Sequence, residues 1–486
     1  MTKAESEIGY EKELKSYVDN ERAAVRLAHC VGELLYTKGV ELVLFRNHLT
    51  DITNSEIINL HDYAEEKVGK KIFLSTSVAL AEELDKLNLP PAKIDIGLLA
   101  YEWVQEGSKY TSKSDFLNFK LSGLLERSEP DFKPRDVVLF GFGRIGRLCA
   151  RELVTQAGKG QQLRLRAIVA RGGSDEEIVK RAALFNNDSV HGRFKGTVHV
   201  DLETKSFVIN GQRVHLIDAD KPEEVDYSKY GIDNALVIDN TGVFKDKAAL
   251  SRHLKAKGIS KVLLTAPAAD IPNVVYGLNH TGLDLEKESI FCAASCTTNA
   301  ITPVLKVIND KFGIDKGHIE TVHAYTNDQN LLDNFHKKPR RGRSAAINMV
   351  ITSTGAGKAV AKVIPGLEGK FTANAVRVPT PNGSLAIMHI TVNKTTNLDE
   401  VNAAMKDAAL NGKLVNQIYY STDPELVSND IIGNTCCSVY DAAATIVSKD
   451  GKSVVLYTWY DNEYGYTKQV IRLAKYIAKV RRLRYY

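Results

Sequence analysis

An apolar strand that runs into a glycine-rich turn and then a helix constrains the fold of this chain more than any other stretch. Val137-Val138-Leu139-Phe140 is followed directly by the motif Gly141-Phe142-Gly143-Arg144-Ile145-Gly146, and the next residues predict a helix over 148–156. The first glycines let the backbone turn tightly and approach a pyrophosphate, and the third lets helix and strand pack closely. We therefore predict a dinucleotide site here, with these candidate contacts: Gly141, Gly143, Arg144, Ile145 and Gly146. A glycine-rich turn without a ligand is the alternative.

Strands and helices alternate after this motif. The pattern predicts strands over 163–169, 197–200, 207–209, 214–217, 235–239 and 261–264, and a helix over 247–257. Such alternation is typical of a doubly wound α/β sheet whose ligand lies along the carboxyl ends of its strands. Small polar residues follow two of these strands and are further candidates for binding the cofactor: Thr241, Gly242 and Thr265.

The residue that follows the second strand bears on the choice of cofactor. An acidic residue there would bind the ribose hydroxyls of NAD, whereas this chain has Arg171 followed by two glycines. The planar guanidinium suits a 2′-phosphate, which favours NADP. Arg171 could instead be a surface residue, with Asp175 or Glu176 in the role of the acid.

A cysteine among hydroxyl residues is the candidate nucleophile. Cys296 stands between Ser295 and Thr297, and these hydroxyls can cap a helix that the apolar residues of 300–308 continue. His323 follows 27 residues later, at the end of a strand-like stretch. A helix N-terminus and an imidazolium both lower the pKa of a thiol, so we predict that Cys296 and His323 form a catalytic pair. The alternative for Cys296 is a small buried apolar residue.

Residues 1–128 indicate an all-α segment, and 129–135 a polar, proline-containing linker. Amphipathic helices are predicted around residues 24–35 and over 55–68, 77–87, 96–105 and 114–125. The segment contains no nucleophile–base pair, phosphate loop or metal-ligand cluster.

Composition narrows the class of protein. With 486 residues, 44% apolar and 25% charged, the chain suits a globular protein of two or three domains. A net charge of +5 gives no reason to expect nucleic acid as a partner. No 18-residue apolar run or leader is found, so we expect no membrane span and no secretory signal. Six cysteines without metal-ligand spacing suggest no metal site and a cytoplasmic, reducing location.

Five motifs occur in order and at matching separations. They are Gly141–Arg147, Ser295–Asn299, Thr321–His323, Arg377–Asn382 and Trp459–Glu463. Together they resemble the phosphorylating glyceraldehyde-3-phosphate dehydrogenases over about residues 136–480. Residues 1–134 lie outside this resemblance.

The resemblance implies a role for each matching residue. Cys296 would attack the aldehyde carbon, and His323 would act as base and then acid. The substrate phosphate would be bound by Thr326 and Arg377, with Asp328 in support. The attacking phosphate would be bound by Ser295, Thr297, Thr354 and Gly355. Asn462 would anchor the nicotinamide carboxamide, whereas Asp461 and Glu463 could be a solvated acidic turn.

Three positions depart from the family pattern. Phe140 stands where asparagine is usual, Arg171 where NAD-using members have aspartate, and Asn334-Phe335 where a Leu-Pro pair packs over the adenosine. The second and third changes remove features that select NAD. We therefore expect Arg171 and Asn334 to permit NADP, or both NADP and NAD.

The resemblance also implies the domains and the assembly. A Rossmann-type domain is expected at 136–295, an α+β catalytic domain at 296–461, and a helix at 462–486 that returns to the cofactor domain. The family's homotetramer places the basic loop 327–344 at an interface, which we prefer to a nucleic-acid patch.

The resulting hypothesis is an NAD(P)-dependent enzyme that interconverts glyceraldehyde 3-phosphate plus phosphate and 1,3-bisphosphoglycerate through a thiohemiacetal and thioester of Cys296. Two alternatives stay open. One is a relative that oxidises erythrose 4-phosphate and releases acid by hydrolysis. The other is a regulatory or binding protein that uses the helical segment.

Overall fold

A computed structural model describes residues 3–127 and 133–486. The chain divides into two compact units, of which the first comprises residues 1–133, 158–161 and 480–486 and the second residues 134–157 and 162–479. Of the expected linker at 129–135, residues 129–132 lie outside the described residues.

The first unit is mainly helical. Its helices are α1 (Lys3–Glu33), α2 (Asn54–Glu66), α3 (Leu74–Lys86), α4 (Ile96–Glu106), α5 (Lys113–Lys120) and α6 (Ser122–Leu125). Helix α2 begins with a capping box, in which the Thr53 side chain accepts from the Glu56 amide and the Glu56 side chain accepts from the Thr53 amide. Helices therefore occur in each segment where the sequence predicts one.

The first unit also contains short strands, which the all-α expectation did not include. These are β1 (Glu41–Leu44), β2 (Asn47–His48) and β3 (Ala92–Asp95). β1 pairs in parallel with β3 and antiparallel with β2. Phe45 and Arg46 make the turn between β1 and β2 with φ of 42° and 72°. The buried Asp95 carboxylate accepts from both of their amides, at 2.8 and 3.0 Å, which holds the turn.

The second unit opens with a doubly wound sheet. Its elements are β4 (Arg135–Phe140), α7 (Arg144–Thr155), β5 (Leu163–Ala170), α8 (Asp175–Asn186), β6 (Asn187–Asp188), β7 (Gly192–Arg193), β8 (Val198–Asp201), β9 (Ser206–Ile209), β10 (Gln212–Asp218), β11 (Ala235–Asp239), α9 (Lys247–Leu250), β12 (Ile259–Leu264) and β13 (Ile290–Cys292). The strand order is β13-β12-β11-β4-β5-β10-β9-β8. The strands from β13 to β10 are parallel.

The register of this sheet aligns the ends of its strands. Phe140 lies beside Asp239, Asp239 beside Leu264, and Leu264 beside Cys292. The glycine turn, the loop after β11, the loop after β12 and the turn before Cys296 therefore leave the sheet at one edge, as expected for the ligand edge of such a fold.

The second half of this unit is a mixed sheet covered by helices. Its elements are α10 (Cys296–Phe312), β14 (Ile314–Ala324), β15 (Val350–Thr352), α11 (Ala356–Val363), β16 (Phe371–Val378), β17 (Ser384–Val392), α12 (Leu398–Leu410), β18 (Ile418–Ser421), β19 (Ser438–Asp441), β20 (Ile446–Val447), β21 (Ser453–Tyr460) and α13 (Tyr464–Ile477). The strand order is β15-β16-β14-β17-β21-β19-β18, and β20 pairs with β21. Val304 of α10 shares a buried core with Met388 and Leu456 of the sheet. Lys468 of α13 donates to Glu152 of α7 at 2.6 Å, so this helix contacts the cofactor domain.

The C-terminal residues do not continue α13 to residue 486. The helix ends at Ile477, and β22 (Leu483–Tyr485) pairs in parallel with β3 as a strand of the first unit. Arg482 donates to Glu41 at 3.1 Å, and the Tyr485 hydroxyl donates to Glu102. The expected helix at 462–486 therefore covers only part of that range.

Candidate active site

The turn between β13 and α10 makes Cys296 the first residue of the helix. The Ser295 hydroxyl caps α10 by accepting from the Thr298 amide at 3.0 Å. Ala294 has φ of +57°, a conformation that strains a residue with a Cβ atom. The Tyr466 hydroxyl donates to the Ala294 carbonyl at 2.9 Å. The turn thus holds Cys296 among the free N–H groups of the helix N-terminus.

Strand β14 brings His323 to Cys296. The Cys296 Sγ atom lies 3.7 Å from His323 Nε2. Arg377 is the residue opposite His323 on the parallel neighbour β16. The Tyr460 ring meets the imidazole edge-on, with 5.9 Å between ring centroids. The two residues predicted to form a catalytic pair are therefore in contact.

The ionisation of this pair differs from the sequence expectation of a lowered thiol pKa. Burial raises the pKa of the Cys296 thiol, and this effect outweighs the Arg377 charge and the hydrogen bonds of Thr297, which lower it. Burial and the Arg377 charge together lower the pKa of His323 to about 3. At neutral pH the geometry therefore favours an uncharged thiol beside an uncharged imidazole.

The other ring nitrogen of His323 has two neighbours. Nδ1 lies 2.7 Å from the Ala324 carbonyl oxygen and 2.6 Å from Arg377 Nη1. A protonated Nδ1 donates to the carbonyl and leaves Nε2 able to accept the thiol proton. An unprotonated Nδ1 accepts from Arg377, and Nε2–H then faces the sulfur. Arg377 also donates to the Ala324 carbonyl at 3.0 Å.

Buried polar atoms without a partner occur on β15, on β16 and in the turn after β16, within the described part of the chain. Among the described residues, Arg377 Nε and the hydroxyls of Thr352 and Thr380 are buried without a hydrogen-bond partner. Burying such donors is costly unless a ligand pairs with them. Thr380 lies within the Arg377–Asn382 motif, but neither Thr380 nor Thr352 was assigned a role from the sequence.

The remaining predicted phosphate-binding residues lie at the ends of elements. Ser295 and Thr297 flank Cys296, and Thr297 lies 3.1 Å from Tyr460 by its hydroxyl. Thr326 follows β14, while Thr354 and Gly355 precede α11, where the Thr354 hydroxyl accepts from the Ala356 amide at 3.2 Å. Asp328 forms an ion pair with Arg341.

The glycine turn fits a dinucleotide. Gly141 has φ of +95°, which favours glycine. A Cβ atom on Gly146 would lie 2.3 Å from the Gly141 carbonyl oxygen, so the helix start requires glycine. A Cβ atom on Gly143 would meet nothing within 4 Å. The exposed backbone there is open to a pyrophosphate, while Ile145 and Gly146 continue into α7.

Asp239 organises the predicted cofactor loops at the same edge. Its carboxylate accepts from the amide and hydroxyl of Thr241 at 2.9 and 2.7 Å. The Thr265 hydroxyl donates to the Asp239 carbonyl at 2.9 Å, and Gly242 has φ of +66°. His253 Nε2 lies 2.8 Å from the other carboxylate oxygen. Thr241 and Thr265 are therefore brought together, as the sequence predicts.

The two residues that bear on NADP lie on exposed segments. Arg171 lines an open cavity of about 630 Å³ together with Asp218, Lys221 and Lys229. Asn334 lies in the exposed loop after β14, where its side-chain oxygen accepts from the Phe335 amide at 2.7 Å.

Asn462 lies in a buried turn before α13. The Ser384 hydroxyl donates to Asn462 Oδ1 at 2.9 Å, a contact that sequence reasoning missed because it joins distant strands. Asp461 accepts from the amides of Glu463 and Tyr464 at 2.9 and 2.7 Å. Since Asp461 is only 1% exposed, the acidic turn is not solvated.

The Arg144 side chain points to carboxylates. It pairs with Asp188 at 2.6 Å and with Glu463 at 2.5 Å. Because these carboxylates occupy the guanidinium, only the backbone of Arg144 is available for the predicted contact with a pyrophosphate.

Within residues 3–127 and 133–486, no three histidine, cysteine or carboxylate side chains are grouped so that they could bind a metal ion. None of the helices described there combines the length and the apolar character needed to cross a bilayer.

Comparisons with known proteins agree with this arrangement. The family model for the NAD binding domain of glyceraldehyde 3-phosphate dehydrogenase matches residues 135–247, and the model for its C-terminal domain matches residues 295–462. A glyceraldehyde-3-phosphate dehydrogenase-like protein of Pseudomonas aeruginosa is 44% identical over 454 residues, which cover 93% of this chain and 98% of the relative.

Shorter relatives match about 70% of the chain. The glyceraldehyde-3-phosphate dehydrogenase of Clostridium pasteurianum is 42% identical over 71% of this chain and 98% of its own length. Glyceraldehyde-3-phosphate dehydrogenase 1 of Bacillus subtilis is 42% identical over 70% of this chain and 97% of its own length. Because both domain models match in chain order and these relatives are covered almost from end to end, this chain belongs to the glyceraldehyde-3-phosphate dehydrogenase family, whose members are oxidoreductases that use a nicotinamide dinucleotide.

Proposed function

We propose that this protein converts glyceraldehyde 3-phosphate and inorganic phosphate into 1,3-bisphosphoglycerate, and the reverse, through covalent intermediates on Cys296. The observation that carries the proposal is the 3.7 Å contact between Cys296 Sγ and His323 Nε2 at the start of α10. A thiol with a base at this distance is the arrangement that nucleophilic catalysis requires.

The first step is attack of sulfur on the aldehyde carbon. His323 Nε2 accepts the thiol proton while Nδ1–H donates to the Ala324 carbonyl. The S–H bond breaks, the S–C bond forms, and the aldehyde oxygen becomes the alkoxide of a thiohemiacetal. Backbone amides at the α10 N-terminus and the protonated His323 stabilise that oxyanion.

A bound substrate phosphate would make His323 a stronger base. Burial and the Arg377 charge keep the pKa of His323 at about 3, so an imidazolium is unfavourable beside the bare guanidinium. A phosphate dianion on Arg377 would pair with its unsatisfied Nε and offset that charge. Substrate binding and formation of the base are thereby coupled.

Oxidation and acyl transfer complete the cycle. The glycine turn and Asn462 would hold a nicotinamide dinucleotide, which would supply an acceptor for the hydride of the thiohemiacetal carbon; loss of that hydride leaves a thioester of Cys296. Phosphate held near Ser295, Thr297 and the α11 N-terminus attacks the thioester carbonyl. The C–S bond then breaks, the acyl phosphate leaves, and the sulfur regains its proton from His323.

Cys296→Ser tests the covalent route. Turnover should fall by at least about a thousandfold because an alkoxide is not formed at neutral pH, while binding of NAD and NADP persists. Cys30→Ser, which changes a buried thiol in the first unit, is the matched control and should retain activity. Retained turnover in Cys296→Ser would overturn the proposal.

Phosphate dependence distinguishes the erythrose 4-phosphate alternative. Wild-type protein should need inorganic phosphate for multiple turnovers, with an acyl phosphate as the product. Full turnover without phosphate, accompanied by release of free acid, would favour the hydrolytic enzyme.

We further propose that the protein uses NADP, with NAD as a second cofactor. Arg171 is exposed beside the cavity described above, and among the described residues its side chain makes no hydrogen bond or ion pair. A guanidinium so placed can bind a 2′-phosphate by two parallel hydrogen bonds. Asp218, which accepts from the Gly172 amide at 2.7 Å, offers a carboxylate to ribose hydroxyls, which supports NAD as well.

The ratio of kcat/KM for NADP to that for NAD tests this assignment. Arg171→Ala should lower the ratio by roughly tenfold or more, because a charge-assisted bidentate contact contributes about 1.5–3 kcal/mol. Arg343→Ala, a surface arginine paired with Asp333, is the control. An unchanged ratio in Arg171→Ala would contradict the role of Arg171.

We also propose a homotetramer. Apolar side chains in and after the loop that follows β14 are strongly exposed, including Leu332 at 74%, Phe335 at 88% and Ile347 at 79%. Exposed apolar clusters of this kind mark protein interfaces. The basic residues of the loop are partly neutralised, since Arg341 pairs with Asp328 and Arg343 with Asp333, which supports an interface over a nucleic-acid surface.

A further inference from the structure

Four titratable side chains form a cluster between the glycine turn and the Asn462 turn. The members of this Arg144 cluster are Arg144, Asp188, His191 and Glu463. Arg144 begins α7 directly after Gly143, and Glu463 directly follows Asn462. The cluster therefore joins the two turns that are expected to contact the pyrophosphate and the nicotinamide of one cofactor.

Glu463 is bound from two sides. Arg144 Nε and Nη2 donate to its two carboxylate oxygens at 2.8 and 2.5 Å. His191 Nε2 lies 3.0 Å from Oε2 of the same carboxylate. The Glu463 side chain is 12% exposed and that of His191 is 6% exposed, so little water competes for these contacts. A bidentate arginine contact fixes orientation as well as position.

Asp188 is the second carboxylate that binds the Arg144 guanidinium. Its oxygens accept from Arg144 Nη1 and Nη2 at 2.6 and 3.1 Å. It also accepts from the amides of Val190 and His191, each at 2.9 Å. Burial alone would raise the pKa of Asp188, but these hydrogen bonds and Arg144 outweigh it and lower the pKa to about 2. Arg144 is thus held between two ionised carboxylates.

Asn462 is oriented by its neighbours on both sides. Asp461 anchors the preceding position through buried hydrogen bonds to Asn382 and to the Gly433 amide, each at 2.8 Å. The Ser384 hydroxyl engages Asn462 Oδ1. Among the described residues, Asn462 Nδ2 makes no hydrogen bond, so it is the group left for a ligand carbonyl.

We propose that the Arg144 cluster is a positioning device, which acts through Asn462 to fix the nicotinamide ring relative to Cys296. This inference rests on the proposed role of Asn462 as the anchor of the carboxamide. Glu463 and Arg144 need not touch the cofactor. They fix the backbone that follows Asn462 and tie it to the glycine turn, while Asp461 fixes the backbone that precedes it. A displacement of the anchor by about 1 Å is thereby prevented.

Two variants test the cluster. Glu463→Gln keeps the size of the side chain and removes the charge that Arg144 and His191 share. His191→Gln keeps an N–H donor near Glu463 and serves as a milder change. Affinities for NADP and for ADP-ribose 2′-phosphate, which lacks the nicotinamide, are measured by titration calorimetry. If the cluster acts through the nicotinamide anchor, Glu463→Gln should weaken NADP by roughly tenfold and leave the truncated ligand within about twofold.

A double variant separates positioning from a general structural role. Because Glu463 acts through Asn462, the variant Asn462→Ala/Glu463→Gln should bind NADP no more weakly than Asn462→Ala alone. Its kcat should likewise match that of the single Asn462→Ala variant. Additive losses, or equal weakening of both ligands in Glu463→Gln, would overturn the inference.

A control variant addresses the stability of the helix pair. Glu152→Gln removes the negative charge from the buried ion pair with Lys468, which also joins α7 and α13. It should lower the melting temperature without changing the ratio of the two affinities, and a changed ratio would overturn the inference. If Asn462→Ala itself leaves NADP affinity and kcat unchanged, the anchor role of Asn462 in the proposed function fails, independently of the cluster.

Discussion

Two opposing effects act on the Cys296 thiol. Burial raises its pKa, and the positive charge of Arg377 lowers it. Arg377 is the strongest influence that lowers the pKa of this thiol, and it also lowers the pKa of His323. One arginine therefore stabilises the thiolate and disfavours the imidazolium. A phosphate bound to this arginine would weaken both effects and so raise the pKa of the thiol and of the imidazole together.

Arg377→Gln provides a test at the residue scale. Removal of the positive charge should raise the pKa of Cys296, so a smaller fraction of thiolate is present at pH 8. Each unit of pKa corresponds to about a tenfold change in thiolate. The rate of carbamidomethylation of Cys296 by iodoacetamide, followed by mass spectrometry, should fall by several-fold and recover at higher pH. Arg343→Gln should react like wild type, and equal rates in Arg377→Gln would contradict the assignment.

The sequence indicated the candidate reactive residues more clearly than the residues that orient them. Cys296 and His323 stand in short motifs whose residue types already indicate chemistry. Glu463 lies in such a motif too, but its partner Arg144 is 319 residues away and no local pattern connects them. Thr380 lies in the Arg377–Asn382 motif but had no role assigned to it, and Ser384 follows that motif with no pattern that marks it. Residues defined by long-range contacts were therefore missed.

At the scale of elements, β22 is the main departure from expectation. The sequence after α13 is basic and short, and nothing in it indicates a strand. Its partner β3 is a four-residue strand far earlier in the chain, and parallel pairing needs no local turn. By contrast, the Rossmann strands were found because strand, glycine turn and helix are adjacent in sequence.

Deletion of residues 481–486 tests the role of β22. It removes one edge of the first sheet, the Arg482–Glu41 ion pair and the packing of Leu483 and Tyr485 on the core. The amides of β1 and β3 should exchange hydrogen with solvent at least about tenfold faster, as measured by mass spectrometry.

Truncation of α1 is the matched control for that deletion. Residues 10–20 of α1 are exposed on every side and contribute no buried apolar surface. Removal of residues 1–18 should therefore leave exchange in β1 and β3 unchanged. If the C-terminal deletion has no larger effect than this truncation, β22 does not stabilise the sheet.

At the scale of the whole chain, the N-terminal unit is not a simple appendage. It also includes residues 158–161, which lie between two of the five motifs, and residues 480–486, which follow the last of them. The Pseudomonas aeruginosa relative aligns over 93% of the chain, so it shares most of this unit, whereas the Clostridium pasteurianum relative aligns over 71%. Sequence periodicity predicted its helices but not its sheet, because that sheet is assembled from distant segments.

The proposed tetramer is tested by changing the exposed apolar residues after β14. Phe335→Asp combined with Leu332→Asp should lower the mass measured by light scattering below that of four chains, because buried charges disfavour association. Leu184→Asp, at an apolar position of α8 that is 54% exposed, is the control and should keep the full mass. A wild-type monomer, or an unchanged mass in the double variant, would contradict the assembly.

The pairing of β22 with β3 also bears on the order of events during biosynthesis. A ribosome releases the first unit early and residues 483–485 much later, so β3 waits with an open edge while the dehydrogenase unit is translated. The unpaired edge of a strand can pair with a strand of another nascent chain, which leads to misassembly. The N-terminal unit, though first to emerge, can complete its sheet only when translation of the second unit is over.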